Sequence, residues 1–277
     1  MPRPANGYTN KAGATVPGTN DVVSRFADKQ ALLHWAHKQG QAGLPLYQRS
    51  ALDIGSAVHK MAELDLIGAQ DREIEHVMFD YLSAPNHIEM ARASFRQFRE
   101  WRLGCDVRPI EHEVSLVSEP LQYGGTPDLI AIIKNRVGII DFKTSAGGKG
   151  PYPEQKVALR AHANLWNEHN AKLKIDSYHL VILPKDGAGF KHCEFDELDR
   201  EWELFKLYRQ AYDLEKAKPA VKITKPTASS TGNAKPKSIE PPRRAHQLLM
   251  SEVTSHPNQM SMAEIMRAYG HVSEARA

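Results

Sequence analysis

The sequence predicts an α/β fold, and three observations carry that expectation. Apolar residues recur at helical spacing from about residue 21 to residue 103. The period shortens to that of strands after residue 110. A nearly continuous apolar run at residues 177–183, SYHLVIL, then follows a helical segment and suits a central strand buried on both faces.

Each element has its own signal. Residues 1–18 are rich in Pro, Gly, Asn and Thr and read as a flexible lead. Thr19 and Asn20 can cap a helical region that starts at Asp21 and ends at Gly40. A second helix spans about Ala51–Leu66, with Ile54, Ala57, Val58 and Met61 on one stripe and His59 at its border. Residues 71–83 form a short helix and residues 87–103 a longer one, stopped by Gly104. Strands follow at 110–118, 121–133 and 137–143, with Asn135 in the turn between the last two. A helix over 154–170, the 177–183 strand, a further strand at 190–195 and a long helix over Phe195–Lys216 complete a domain of residues 19–217. Next comes a basic, Pro-rich linker, 218–244. Residues 219–244 of it hold five prolines and six Lys or Arg against one Glu, with no packing period. Residues 245–277 read as a short helical or disordered tail.

Composition narrows the function classes. A net charge of +3 permits a nucleic-acid partner without requiring one. Two cysteines, Cys105 and Cys193, cannot by themselves form a four-thiolate metal site, and they suit a reducing cytoplasm. The start lacks a signal-peptide pattern, and no segment reaches 18 apolar residues, so a cytoplasmic protein without a membrane span is expected.

The chemistry concentrates in residues 124–143, GGTPDLIAIIKNRVGIIDFK. Side chains alternate along strands, so Asp128, Ile130 and Ile132 share a face, as do Ile139, Asp141 and Lys143. A hairpin would bring Asp128 and Asp141 together beside the Lys143 ammonium. Two close carboxylates in apolar strands need a cation or a partner. An all-oxygen donor set favours Mg²⁺ or Mn²⁺, which would polarise a phosphodiester and lower the pKa of bound water. Lys143 can orient the attacking water or stabilise phosphorane charge. Glu113, in register by parity with Glu111 and Ser115, and His59 can complete the ligand shell. Gly55, one turn before His59, lets its helix approach closely. A surface Asp–Lys pair without chemistry is the alternative on spacing alone.

Together these residues resemble the PD-(D/E)XK nuclease superfamily, in its RecB-like, bacteriophage-type exonuclease group. Gly55 and His59 match the helix motif, Glu113 the strand glutamate, Gly125-Thr126-Pro127-Asp128 the G-x-x-D element, and Asp141-Phe142-Lys143 the D-x-K element. The stretch VPGTNDVVSRFADKQALLHWAHKQG is similar to the group's N-terminal lead-in, and the resemblance covers roughly residues 17–215. It implies a restriction-endonuclease-like core, a central mixed β-sheet flanked by helices with a helical N-terminal region. It also implies a metal-dependent deoxyribonuclease whose Mg²⁺ or Mn²⁺ is held by His59, Asp128, Asp141 and the Phe142 carbonyl. Glu113 would position metal or water, and Lys143 would assist catalysis. The group's Q-x-x-x-Y helix motif is missing, because Ala158 and His162 stand where Gln and Tyr are expected.

The implied partner is DNA, as duplex or duplex ends, with a single-strand annealing protein and a homo-oligomer as further possibilities, in the cytoplasm of a bacterial or phage-infected cell. Candidate DNA contacts are Lys149, Tyr152, Lys156, Arg160 and His162, with Arg49, Lys60 and Arg102 as weaker ones. The leading function is an exonuclease in phage-type recombination or DNA processing. A structure-selective endonuclease or nickase, and a non-catalytic DNA-binding assembly protein with a nuclease fold, are the alternatives.

Overall fold

The computed structural model describes Pro4 and residues 7–43, 49–145 and 150–217. The chain divides into two units, Met1–Ala220 and Val221–Ala277. The second unit, with most of the expected linker and the whole tail, lies outside the described residues.

The first unit is built on a five-stranded mixed sheet flanked by helices, the class expected from the sequence. Within the stretch read as a flexible lead, β1 (Tyr8–Thr9) pairs with β2 (Thr15–Val16). The helical N-terminal region follows as two helices, α1 (Thr19–Phe26) and α2 (Gln30–Gln41), not one. Ala27 is extended between them, and the Asp28 carboxylate accepts the Gln30 N–H at 2.8 Å, which starts a new helix. Next come α3 (Arg49–Leu66), α4 (Asp71–His76), α5 (Met78–Tyr81) and α6 (Pro85–Gly104), the last opened by a proline in its first turn.

The expected 110–118 strand is two, β3 (Arg108–His112) and β4 (Leu116–Ser118). Glu113 separates them with a left-handed φ of 52°. The expected 121–133 strand also splits, into β5 (Tyr123–Gly125) and β6 (Leu129–Ile133). Pro127 lies in that gap and has no N–H to give a ladder. A two-residue turn then leads into β7 (Arg136–Ser145). Lys134 and Asn135 both have positive φ, as a hairpin turn matching strand twist requires. Helix α7 (Pro153–His169) crosses over to β8 (Ser177–Pro184), which is parallel to β7. Strand β9 (Lys191–Phe195) and helix α8 (Asp199–Lys216) follow. Phe195 ends a strand, as the 190–195 reading expected, and the helix expected from Phe195 starts at Asp199.

Strand order is β3-β6-β7-β8-β9, so β7 is central. One sheet face, through Leu129, Ala131, Ile140, Phe142, Val181 and Leu183, packs on Ala57, Val58 and Met61 of α3 and Phe98 and Trp101 of α6. Phe142 sits edge-on to Phe98 and Trp101, with ring centroids at 5.2 and 5.3 Å. The opposite face, through Ile130, Ile139, Tyr178 and Leu180, packs on Leu159, Ala163 and Trp166 of α7. This alternation explains why β6, β7 and β8 read as nearly continuous apolar runs, and why acids within them stand out. No helix among the described residues is long and apolar enough to cross a membrane.

Candidate metal centre

The ladder between β6 and β7 pairs Leu129 with Ile140. Carried one residue outward, it sets Asp128 opposite Asp141 at the open end of the hairpin. Both carboxylates are buried, at 5% and 6% exposure. Asp128 is anchored because its Oδ2 accepts the Phe142 N–H at 2.8 Å. Asp141 is paired with its neighbour on the same strand face, Lys143, whose Nζ lies 2.5 Å from Asp141 Oδ2.

Two segments complete the site from the α3 side of the sheet. Ile54, Ala57, Val58 and Met61 bury one stripe of α3, which leaves Gly55 and His59 along its flank. A Cβ on Gly55 would lie 3.2 Å from Thr144 Oγ1, so glycine permits the close approach of α3 to β7. His59 Nδ1 is thereby brought 3.5 Å from Asp128 Oδ2. Glu113 arrives differently from its expected route. The parity with Glu111 and Ser115 does not hold, because the strand ends at His112 and Glu113 takes a left-handed φ. The left-handed turn at Glu113 re-aims it, and its N–H reaches the Asp128 carbonyl at 3.3 Å. One donor atom each from His59, Glu113 and Asp128 lies within 4.8 Å of the others.

The electrostatics are those of a cation site. Burial pushes the Glu113 carboxyl up to about 8, and the carboxylates of Asp128 and Glu63 push the same way. Burial raises Asp128 and Asp141 as well, against the pull of Lys143. Burial also works against the Lys143 charge, but Asp141 and Asp128 outweigh it and hold the ammonium protonated. His59 is lowered to about 3 by burial and then by Lys143, which keeps it neutral and able to donate a lone pair. His59 Nδ1 and Glu113 Oε2 are buried without a hydrogen-bond partner. Two unpaired donor atoms beside the Asp128 carboxylate fit an oxygen-preferring divalent cation with one nitrogen ligand.

On the α7 side, His162 enters the same site. It lines a cavity of about 120 Å³ together with Asp128, Asp141, Lys143, Thr19, Asp21 and Thr126. The approach depends on Gly125, since a Cβ there would meet the His162 ring at 2.5 Å and Thr19 Oγ1 at 2.7 Å. Burial holds His162 low, at about 4.

No protein-family model matches the chain, and no curated protein matches it. Among solved structures it is similar to an alkaline exonuclease from Laribacter hongkongensis, at 15% identity and a TM-score of 0.33 over 43% of this chain and 62% of that one. It is also similar to a candidate exonuclease from Eubacterium rectale, at 10% identity and a TM-score of 0.43 over 61% of this chain and 66% of that one. The matches span less than two thirds of either relative's own length. These are distant likenesses, and the geometry of the site itself carries the functional reading below.

The structure thus gathers His59, Glu113 and Asp128 into one cluster, with Asp141 and Lys143 paired beside it and His162 across the cavity. The other DNA-contact candidates stand apart. Lys149 lies outside the described residues, as does the side chain of Arg49. Lys156 pairs with Glu201 at 3.2 Å, and Arg160 stacks over Trp202 at 5.0 Å, which turns both toward α8. Tyr152 is exposed at the N-cap of α7. Lys60 pairs with Glu63, and Arg102 with Asp65. Glu63 was missed by the sequence reading, although it sits one helical turn after His59 on the same flank and pushes on Glu113. Tyr8 gave no local signal, and Thr19, read as a helix cap, instead donates its hydroxyl to the Gly124 carbonyl at 3.0 Å.

Proposed function

We propose that residues 19–217 form a metal-dependent deoxyribonuclease of the PD-(D/E)XK, RecB-like type, acting as an exonuclease on DNA ends in phage-type recombination or DNA processing. The observation that carries this reading is the meeting of His59, Glu113 and Asp128 within 4.8 Å of one another, two of them with buried unpaired donor atoms, beside the Asp141–Lys143 pair.

In this reading His59, Glu113, Asp128, Asp141 and the Phe142 carbonyl hold Mg²⁺ or Mn²⁺. A cation there supplies polarisation of the phosphodiester and a lower pKa for bound water. Asp128 is held in place by the Phe142 N–H, so its carboxylate is oriented before any ligand arrives. Lys143, kept charged by Asp141 beside the carboxylates, would stabilise charge developing on the phosphoryl oxygens. Neutral His59 gives a nitrogen donor that fixes the cation on the α3 side. The apolar packing of Phe142 against Phe98 and Trp101 keeps the D-x-K strand rigid behind the site.

End-labelled linear duplex incubated with Mg²⁺ or Mn²⁺ tests this directly. The wild-type chain releases label, chelator stops it, Asp128→Ala is inactive, and Lys143→Ala is slowed on the order of 10²–10³-fold. Equal hydrolysis by the wild type and both variants would remove the site from the account. Cleavage of covalently closed circles at the linear rate would replace exonuclease with endonuclease.

A further inference from the structure

The hairpin of β1 and β2 is sewn to the site by side chains far apart in sequence. Tyr8 Oη and Thr126 Oγ1 are 3.0 Å apart, and Thr126 Oγ1 and Ser115 Oγ are also 3.0 Å apart. A Thr hydroxyl has one hydrogen, so at least one of the other two hydroxyls donates to Thr126. Tyr8 and Thr126 are buried, at 8% and 7% exposure. The Tyr8 ring lies on Gly124, where a Cβ would come within 2.2 Å of it, so this contact exists only over glycine. Pro17 O and the Thr19 hydroxyl add backbone ties to Gly124, at 2.9 and 3.0 Å.

The chain of three hydroxyls joins the two turns that carry the candidate ligands. Ser115 follows Glu113 by two residues, and Thr126 precedes Asp128 by two. Neither ligand-bearing turn is held by a long ladder, since Glu113 has a left-handed φ and Pro127 has no N–H. Tyr8 and Thr126 also line the cavity that holds Asp128, Asp141 and Lys143.

We propose that Tyr8 is a positioning residue for the metal centre: through Thr126 and Ser115 it sets the spacing of Glu113 and Asp128, so that the N-terminal hairpin tunes cation affinity. The proposal rests on the metal-centre reading. Tyr8 touches no reacting group. It fixes the supports of groups that do, and such outer contacts govern how well a preformed site fits its ion.

The test is Mn²⁺ binding to the full chain, measured by calorimetry and by the Mn²⁺ spin-resonance signal, without substrate. Tyr8→Phe keeps the ring on Gly124 and removes only the hydroxyl. Its dissociation constant rises about two- to tenfold, the worth of one hydrogen bond. Thr126→Val removes both bonds, and its constant rises at least about tenfold. Asn10→Ala breaks the separate 2.6 Å bond from the hairpin to Gln122 and the 2.8 Å bond from the Ala14 N–H to Asn10 Oδ1 in the turn, lowers thermal stability and leaves Mn²⁺ affinity at the wild-type value. Wild-type affinity in both hydroxyl variants overturns the proposal. So does a loss in Asn10→Ala that matches theirs, because the hairpin would then act through stability alone. A wild-type chain that binds no Mn²⁺ overturns the metal-centre reading itself, which separates the two failures.

Discussion

Two buried polar clusters lie on the same sheet and use the same residue types in opposite ways. At the open end of the hairpin, His59, Glu113 and His162 each have a buried nitrogen or oxygen without a partner. Beside β8 and β9, away from the Asp128–Asp141 pair, the contacts form one continuous chain. His179 Nε2 meets Ser177 Oγ at 2.9 Å, His179 Nδ1 meets His192 Nε2 at 3.0 Å, and His192 Nδ1 lies 3.7 Å from Cys105 Sγ. Gly138 makes room for it, since a Cβ there would meet the His179 ring at 2.8 Å. Burial lowers the histidines in both places, His179 to about 4 and His192 in the same direction. A lowered histidine is therefore no mark of function in this protein. The distinction is convergence: unpaired buried atoms, each costing about 1–3 kcal/mol, also occur at Gln97, Trp101, Ser145 and Arg160, whereas His59 and Glu113 bring donor atoms within 4.8 Å of one another and of Asp128.

The largest expected difference between the clusters is their response to cation. Mn²⁺ at about 100 times its dissociation constant adds about 2.7 kcal/mol of stability, or roughly 5–10 °C in a domain of this size. Scanning calorimetry with and without Mn²⁺ measures it. Asp128→Asn loses the gain, and His179→Gln keeps it. A gain that survives Asp128→Asn would place the cation elsewhere.

The next effect belongs to the closed cluster. The folded-state value of His179, about 4, lies below the ordinary 6.5. Between these values the unfolded chain binds a proton that the folded chain refuses. Its stabilising contribution is therefore full above about pH 6.5 and is lost as pH falls toward 4, by about 2 kcal/mol. Urea unfolding at pH 7 and pH 4.5 reads this loss, and His179→Gln flattens it. Identical acid losses in the two proteins would take His179 out of the explanation.

An effect of comparable size has the opposite slope. The folded-state value of Glu113, about 8, lies above the ordinary 4.5, so the folded chain holds a proton that the unfolded chain releases. Stability is lost as pH rises through that window. At pH 8 in chelator, Glu113→Gln melts above the wild type by about 4–8 °C, for a gain of about 2 kcal/mol once solvent screening of this part-exposed group is allowed for. With Mn²⁺ present the order reverses. A variant less stable than wild type under both conditions would make Glu113 a structural residue.

Much of this contrast was readable in the sequence, and the limits have physical causes. The Asp128–Asp141 pairing follows from strand alternation and a turn at Asn135, which are local properties. His59 follows from the flank of an amphipathic helix and from Gly55 one turn before it. Glu113 was chosen by strand parity. The cluster contains it, but parity is not why. The end of β3 at His112 and a single left-handed residue cancel alternation, and no residue-type pattern announces a glutamate at positive φ. The Q-x-x-x-Y departure gave only a doubt about α7, whereas the fold gives His162 a place in the cavity over Gly125.

The sequence by itself determined the elements, the central buried strands and the acid pair, because these depend on neighbours within a turn or a hairpin. Tertiary structure alone decided three things: that His59, Glu113 and Asp128 converge, that Tyr8 reaches Thr126 across 118 positions, and that Lys156 and Arg160 turn away toward α8. Each is a contact between segments whose separation along the chain carries no periodic signal. Packing across the sheet and the space left by Gly55, Gly124 and Gly125 fix them.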